Sequence, residues 1–172
     1  GRMHDIRLRP ATPADIELLS YWDTQPHVVA STGDDDVADW AEDIALADDT
    51  WEIWIAEEDG RPVGVVQVID PARERTHYWG DCDEGLRAID IWIGEEADLG
   101  RGIGTQMMRQ VLDASFAAPL VTAVLIDPLA ANVRAQAFYA RLGFAVVGPR
   151  RFGTDDCLVM RLERKAWRAV PR

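Results

Sequence analysis

Positive charge, cysteine, long apolar runs and internal repeats are all scarce in this chain. Lysine and arginine total 18 against 30 aspartates and glutamates, a formal net charge of -12. A nucleic-acid-binding surface needs a basic patch, so this balance argues against nucleic acid as a partner. No stretch of about 18 consecutive apolar residues occurs, so no segment is expected to span or anchor in a membrane. No basic n-region with an apolar core and a cleavage site opens the sequence, and the expectation is a cytoplasmic protein. The two cysteines, Cys82 and Cys157, lack metal-like and redox-like spacing. That favours free thiols over a disulfide, and no metal site is expected. With no repeat and no long linker, the 172 residues are expected to form one domain from Met3 to Val170. Gly1 and Arg2 read as a cloning remnant. What is abundant is acid. It serves solubility, or it builds an acidic cleft that attracts a cationic small molecule, and charge alone does not choose.

Periodicity gives the elements. Residues 6–9 alternate as a first strand. Thr12-Pro13-Ala14-Asp15 opens a helix, with Thr12 as cap, Pro13 in its first turn and Asp15 beside its positive end. Residues 37–47 predict a second helix with Val37, Trp40 and Ile44 inward. Residues 51–57 and 62–69 form a hairpin around Asp59-Gly60, which tolerates positive φ at both positions. Residues 70–85 are polar and read as a loop. Residues 86–94 form a strand with Leu86, Ala88, Asp90 and Trp92 on one face and Ile89, Ile91 and Ile93 on the other. A helix follows from Ile103, then an apolar strand over residues 120–126 and a helix from Asn132 to a stop at Gly143. Residues 144–147 and 157–162 are the last two strands. The fold class is α/β, with a mixed central sheet of about seven strands flanked by about four helices.

Two motifs carry chemistry. Gly100, Arg101, Gly102, Ile103, Gly104 and Thr105 lie between a strand and an amphipathic helix. Glycines let backbone N–H groups approach a phosphate, and the helix end adds unpaired donors and its dipole. The Lys-Ser/Thr ending of a nucleotide-binding P-loop and the third glycine of a dinucleotide fingerprint are both missing. A glycine-rich turn without a ligand is the alternative. About 30 residues on, Asn132, Ala135 and Tyr139 share one helix face. A tyrosine placed there can give a proton to a leaving group, or simply pack in the core.

The glycine loop followed by Asn132-x-x-Ala135-x-x-Phe138-Tyr139-x-x-x-Gly143-Phe144 resembles the GNAT acetyltransferase superfamily. The resemblance implies acetyl-CoA as cosubstrate. It implies that Ile91, Trp92 and Ile93 hold the pantetheine arm through backbone hydrogen bonds. It also implies that residues 100–105 hold the pyrophosphate, that Asn132 and Ala135 lie against the arm, and that Tyr139 is the general acid. The general pattern carries Gln or Arg where this chain has Leu99. A closer resemblance is to the aminoglycoside 6′-N-acetyltransferases, a branch that shares the leucine. It runs through Tyr78-Trp79, Gly85-Leu86-Arg87-Ala88-Ile89-Asp90, the loop at Leu99 to Thr105, Asp127-Pro128 and Asn132-x-Arg134-Ala135. It implies that Asp90 lies near the acceptor amine, that Asp127 binds the acceptor, and that an acid in the last hairpin, Asp155 or Asp156, does the same. Trp79 would wall a sugar ring.

The chemistry suits a carboxylate at position 90. A primary amine with a lysine-like pKa of about 10 is protonated at neutral pH and cannot attack a thioester. A carboxylate can orient the ammonium and take its proton. A structural ion pair of Asp90 with Arg87 or Arg134 is the competing reading. Asp34-Asp35-Asp36 reads as an exposed acidic loop. Expected partners are a small cationic amine and the cosubstrate, in a monomer or homodimer. The acceptor is expected to be the 6′ amine of an aminoglycoside. Hydroxylysine of siderophore synthesis, a polyamine and a protein N-terminus are the alternatives, and a non-catalytic acetyl-CoA-binding domain is a reading of another class.

Overall fold

The structure, a computed structural model, describes residues 5–33 and 38–169. Gly1 and Arg2, the Asp34-Asp35-Asp36 run and Val37 lie outside the described residues. The first strand, β1 (Ile6–Pro10), leads into a 3-10 turn at Pro13–Asp15 and then α1 (Ile16–Trp22). The Asp15 carboxylate organises this entry. It accepts the Thr12 backbone N–H at 2.8 Å and both terminal nitrogens of Arg9 at 2.8 Å. Next come α2 (Pro26–Thr32), α3 (Trp40–Ala45), and the hairpin β2 (Trp51–Glu58) and β3 (Arg61–Ile69). Asp59 and Gly60 take φ of 51° and 82° at its turn, as the dipeptide predicts. Then follow β4 (Leu86–Ile93), α4 (Ile103–Ala117), β5 (Ala123–Ile126), α5 (Val133–Arg141), β6 (Ala145–Phe152), β7 (Asp155–Glu163) and α6 (Arg164–Ala169).

The strands form one sheet in the order β1-β2-β3-β4-β5-β7-β6. Only β4 and β5 pair in parallel, and only through Leu86, Arg87 and Ala88. Beyond Ala88 the two strands part, because β5 ends at Ile126 while β4 runs on to Ile93. The alternation read from β4 holds. Ile89, Ile91 and Ile93 pack with Met107, Met108 and Leu112 of α4 on one face. Trp92 packs with the α1 and α3 side chains Leu19, Trp22 and Trp40 on the other. Gly94 is required where it stands, since a Cβ there would lie 2.0 Å from the Trp22 ring.

Several boundaries differ from expectation. Six α-helices are present among the described residues rather than four. Both additions, α2 and α6, are six or seven residues long, and helices that short are held by packing rather than propensity. For α6 the ties are the Trp167 indole to Asp113 at 3.0 Å and Arg164, which donates to the carbonyls of Phe116, Ala118 and Val121. The fifth strand begins at Ala123, not at residue 120, because Arg164 gathers those carbonyls into a turn and Leu120 is exposed. The last hairpin is longer than read. β6 and β7 pair down to Phe152 and Asp155, which makes Asp155 and Asp156 strand residues. No helix among the described residues is long and apolar enough to cross a membrane.

Candidate active site

The parting of β4 and β5 opens a cleft of about 410 Å³. Gly94 donates to the Val63 carbonyl at 3.0 Å, so the even-numbered residues of β4 direct their backbone groups to β3. The odd-numbered ones, Ile91 and Ile93, direct theirs into the gap. The Ile93 carbonyl there meets a ring nitrogen of His27 at 2.8 Å. Trp92 therefore offers no backbone group to the gap, contrary to the expectation. Its indole lines the cleft instead, on the Asp90 side.

The cleft is acidic. Its walls carry Asp39, Glu42, Asp43, Glu74, Asp90, Asp127 and Asp155, with Arg75 as counter-charge. Arg75 is already paired with Asp43 at 2.8 Å and lies over the Trp51 ring. Asp39 caps α3 by accepting the Glu42 N–H at 3.1 Å. Glu74 accepts the backbone N–H groups of Thr76 and Tyr78 and so shapes the loop. Asp90 stands opposite Gln67 in the β3–β4 register, and Gln67 accepts the Trp51 indole N–H at 2.7 Å. The ion pair of Asp90 with Arg87 is ruled out by strand alternation. Arg87 lies with Glu52 and Trp54 on the opposite face and pairs with Asp70 at 3.4 Å.

Tyr139 is 8% exposed, and what shows of it lines the cleft. Burial raises its phenol pKa above the ordinary 10, and the nearby charges of Asp90 and Asp127 raise it further. Asp90, Asp127 and Tyr139 thus come together from β4, the end of β5 and α5. Asn132 uses its side-chain oxygen to accept the Ala135 N–H at 3.2 Å, capping α5. That cap is worth about 1 kcal/mol and fixes the helix that presents Tyr139. Both Asn132 and Ala135 line the cleft.

Two adjacent aromatics line the cleft on this side, the expected Trp79 and its neighbour Tyr78. Trp79 is 5% exposed and packs edge-on against Phe152. Tyr78, 44% exposed, stacks on Phe152 with ring centroids 4.5 Å apart. Its hydroxyl donates to Asp127 at 2.8 Å. Of the acidic pair in β7, Asp155 lines the cleft. Asp156 points to solvent and pairs with Arg151 at 3.1 Å, because successive strand residues face opposite ways. Sequence reasoning missed Tyr78, Gln67, Asp39, Glu42, Asp43 and Glu74 as lining. Tyr78 had a signal, since it adjoins Trp79 in the quoted motif.

The glycine loop suits an anion. Gly100 and Gly102 have φ of 74° and 79°, with Arg101 between them outside the positive region. This alternation converges successive N–H groups on one point. A Cβ at Gly100 or Gly102 would meet nothing within 4 Å, so open space faces the loop. The first-turn N–H groups of α4 continue it. Ile103 is buried in the core and has only its backbone to offer. A diphosphate fits these donors.

A family model described as the acetyltransferase (GNAT) domain matches residues 11–152. The chain belongs to this family. It is 29% identical over 175 residues to the aminoglycoside N(6′)-acetyltransferase type 1 of Serratia marcescens, spanning 97% of this chain and 87% of that protein. Two solved structures of an aminoglycoside acetyltransferase, AAC(6′)-Ib, are similar throughout. The complex with paromomycin and acetyl-CoA superposes with a TM-score of 0.84 at 26% identity, covering 98% of each chain. The complex with coenzyme A and kanamycin gives 0.83 at 28%, covering 95% of this chain and 98% of that one. As a GNAT acetyltransferase, the chain has the seven-stranded sheet expected of the family.

Proposed function

We propose that this GNAT enzyme transfers the acetyl group of acetyl-CoA to the 6′ amine of an aminoglycoside, directly and without an acetyl-enzyme. It would act as one cytoplasmic acetyltransferase domain, monomeric or homodimeric. The observation that carries the reading is the meeting of Asp90, Asp127 and Tyr139 in one acidic cleft beside the gap between β4 and β5. Bound acetyl-CoA supplies an activated acetyl thioester. The carboxylates draw in an amine that arrives as a cation. Asp90 takes its proton, leaving a lone pair free to attack. Asp127, held by the Tyr78 hydroxyl, and Asp155 hold further amines of a multiply charged acceptor. The Tyr78 ring, more exposed than its neighbour Trp79 in the cleft wall, offers an apolar face to a sugar.

Tyr139 donates to the departing thiolate. Alone, a phenol with a raised pKa is a poor acid toward a thiol of pKa about 8.5. The bound ammonium offsets the fields of Asp90 and Asp127, the smaller part of the rise, and lowers the phenol pKa by that part while the effect of burial stays. Tyr139 is therefore a better donor once the acceptor is seated.

The test is release of the CoA thiol from acetyl-CoA with a panel of amines. The panel holds kanamycin, tobramycin, gentamicin, spermidine, hydroxylysine and an N-terminal peptide. Turnover of kanamycin and tobramycin at the 6′ amine is expected. Turnover confined to hydroxylysine, spermidine or the peptide would discard the antibiotic acceptor, and CoA binding without any turnover would discard the enzyme.

A further inference from the structure

Behind the glycine loop, four charged side chains close a ring. Arg61 grips Asp98 through both carboxylate oxygens at 3.0 Å and reaches Glu58 at 3.2 Å. Arg101 donates to Asp98 and to Glu58, each at 2.8 Å. The carboxylates are nearly buried, Asp98 at 5% and Glu58 at 9% exposure, whereas the guanidinium groups keep one side in water. Hydrogen bonds from Arg61, then those from Arg101, hold the Asp98 carboxyl below its ordinary range. The ring carries two positive and two negative charges and is neutral as a whole.

Its members come from three segments. Glu58 ends β2, Arg61 begins β3, and Asp98 and Arg101 flank the turn into α4. Glycine loses more conformational freedom on ordering than any other residue. Gly100 and Gly102 have no side chains with which to hold the loop's shape, so the residue between them must do it. Both terminal nitrogens of Arg101 are spent on buried carboxylates.

We propose that Glu58, Arg61, Asp98 and Arg101 are positioning residues that preorganise the anion-binding loop, and that Arg101 acts on the loop rather than on the bound phosphates. The proposal rests on the acetyl-CoA reading above. It reassigns Arg101 from the ligand role that the resemblance implied. Affinity for the diphosphate then comes from backbone N–H groups and the α4 terminus, with the arginine setting their geometry.

The two roles predict opposite signs. If Arg101 were a phosphate ligand restrained by carboxylates, Asp98→Asn would remove a negative charge and release the arginine, and CoA would bind more tightly. If the ring positions the loop, Asp98→Asn weakens CoA, by about tenfold for a loss of preorganisation. The experiment is calorimetric titration of CoA into the full chain and into Asp98→Asn, Glu58→Gln, Arg101→Gln and the Asp98→Asn/Arg101→Gln pair. Steady-state constants for acetyl-CoA and for kanamycin accompany it. Glu58→Gln leaves Asp98 paired, so it serves if Asp98→Asn fails to fold.

Weaker CoA binding is expected in every variant, with the pair little worse than either single change. The acetyl-CoA KM should rise while the kanamycin KM holds. Tighter or unchanged binding in Asp98→Asn or Glu58→Gln would overturn the assignment. Equal losses in both substrates' constants would also overturn it, since that is general loosening. A wild-type chain that binds no CoA would sink the acetyl-CoA reading itself, and the ring's role with it.

Discussion

Replacing Asp90 with asparagine removes a proton acceptor together with its negative charge. The side chain keeps its size, sits half-buried opposite Gln67, and lies on the face away from Arg87, so the fold should hold. The magnitude follows from the acceptor. At pH 7 an amine of pKa about 10 is neutral in only about one molecule in a thousand. Without the carboxylate, turnover depends on that fraction. The expected loss in kcat/KM is therefore about 10²- to 10³-fold, or about 3–4 kcal/mol at 1.36 kcal/mol per tenfold. Each unit of added pH raises the neutral fraction about tenfold until the amine pKa is reached. The variant should recover along that slope, while the wild type, which deprotonates the bound cation, changes less. The assay is CoA thiol release against kanamycin concentration from pH 6 to pH 9, with acetyl-CoA saturating. A rate within a few-fold of wild type would remove Asp90 from the mechanism. A large deficit that stays flat with pH would show that it binds or orients the amine without taking its proton.

Tyr139→Phe keeps the ring between Phe138 and Phe144, so thermal stability should change little while kcat falls about ten- to a thousandfold; an unchanged kcat would mean that water protonates the thiolate. The same residue predicts alkaline behaviour. Its folded pKa lies above the ordinary 10 because of burial, then Asp90 and Asp127, so above pH 10 the unfolded chain releases a proton that the folded one keeps, and stability falls as pH rises. That decline, followed by chemical denaturation, should be shallower in Tyr139→Phe; an identical slope would contradict the burial argument. Asp127→Asn removes a negative charge facing the substrate and leaves an amide oxygen to accept the Tyr78 hydroxyl, and the acceptor KM should rise about tenfold or more. An effect on the acetyl-CoA KM alone would place Asp127 on the wrong side of the cleft.

Much of this site was legible because its signals are local. The glycine loop needs only three glycines before an amphipathic helix, and positive φ at Gly100 and Gly102 is what glycine there permits. Asn132 three residues ahead of Ala135 is a cap by spacing alone, and the cap puts Tyr139 on the cleft side. Strand alternation was enough to place Asp90 and Trp92 on one face of β4. An excess of acid was visible as a total, though not where it gathers.

What composition and spacing left open was settled by contacts between segments far apart in the chain. The register of β6 on β7 turns Asp155 into the cleft and Asp156 to solvent. Packing against Phe152, from a distant part of the chain, buries Trp79 and leaves Tyr78 on show. Two carboxylates, one of them 43 residues away, engage Arg101, and no reading of the loop alone could supply them. Helix caps, turns and strand faces depend on neighbours within a few residues, so the sequence determines them by itself. Which side chain is covered, which is paired and which faces a ligand depends on distant segments brought side by side, and only the tertiary structure decides it.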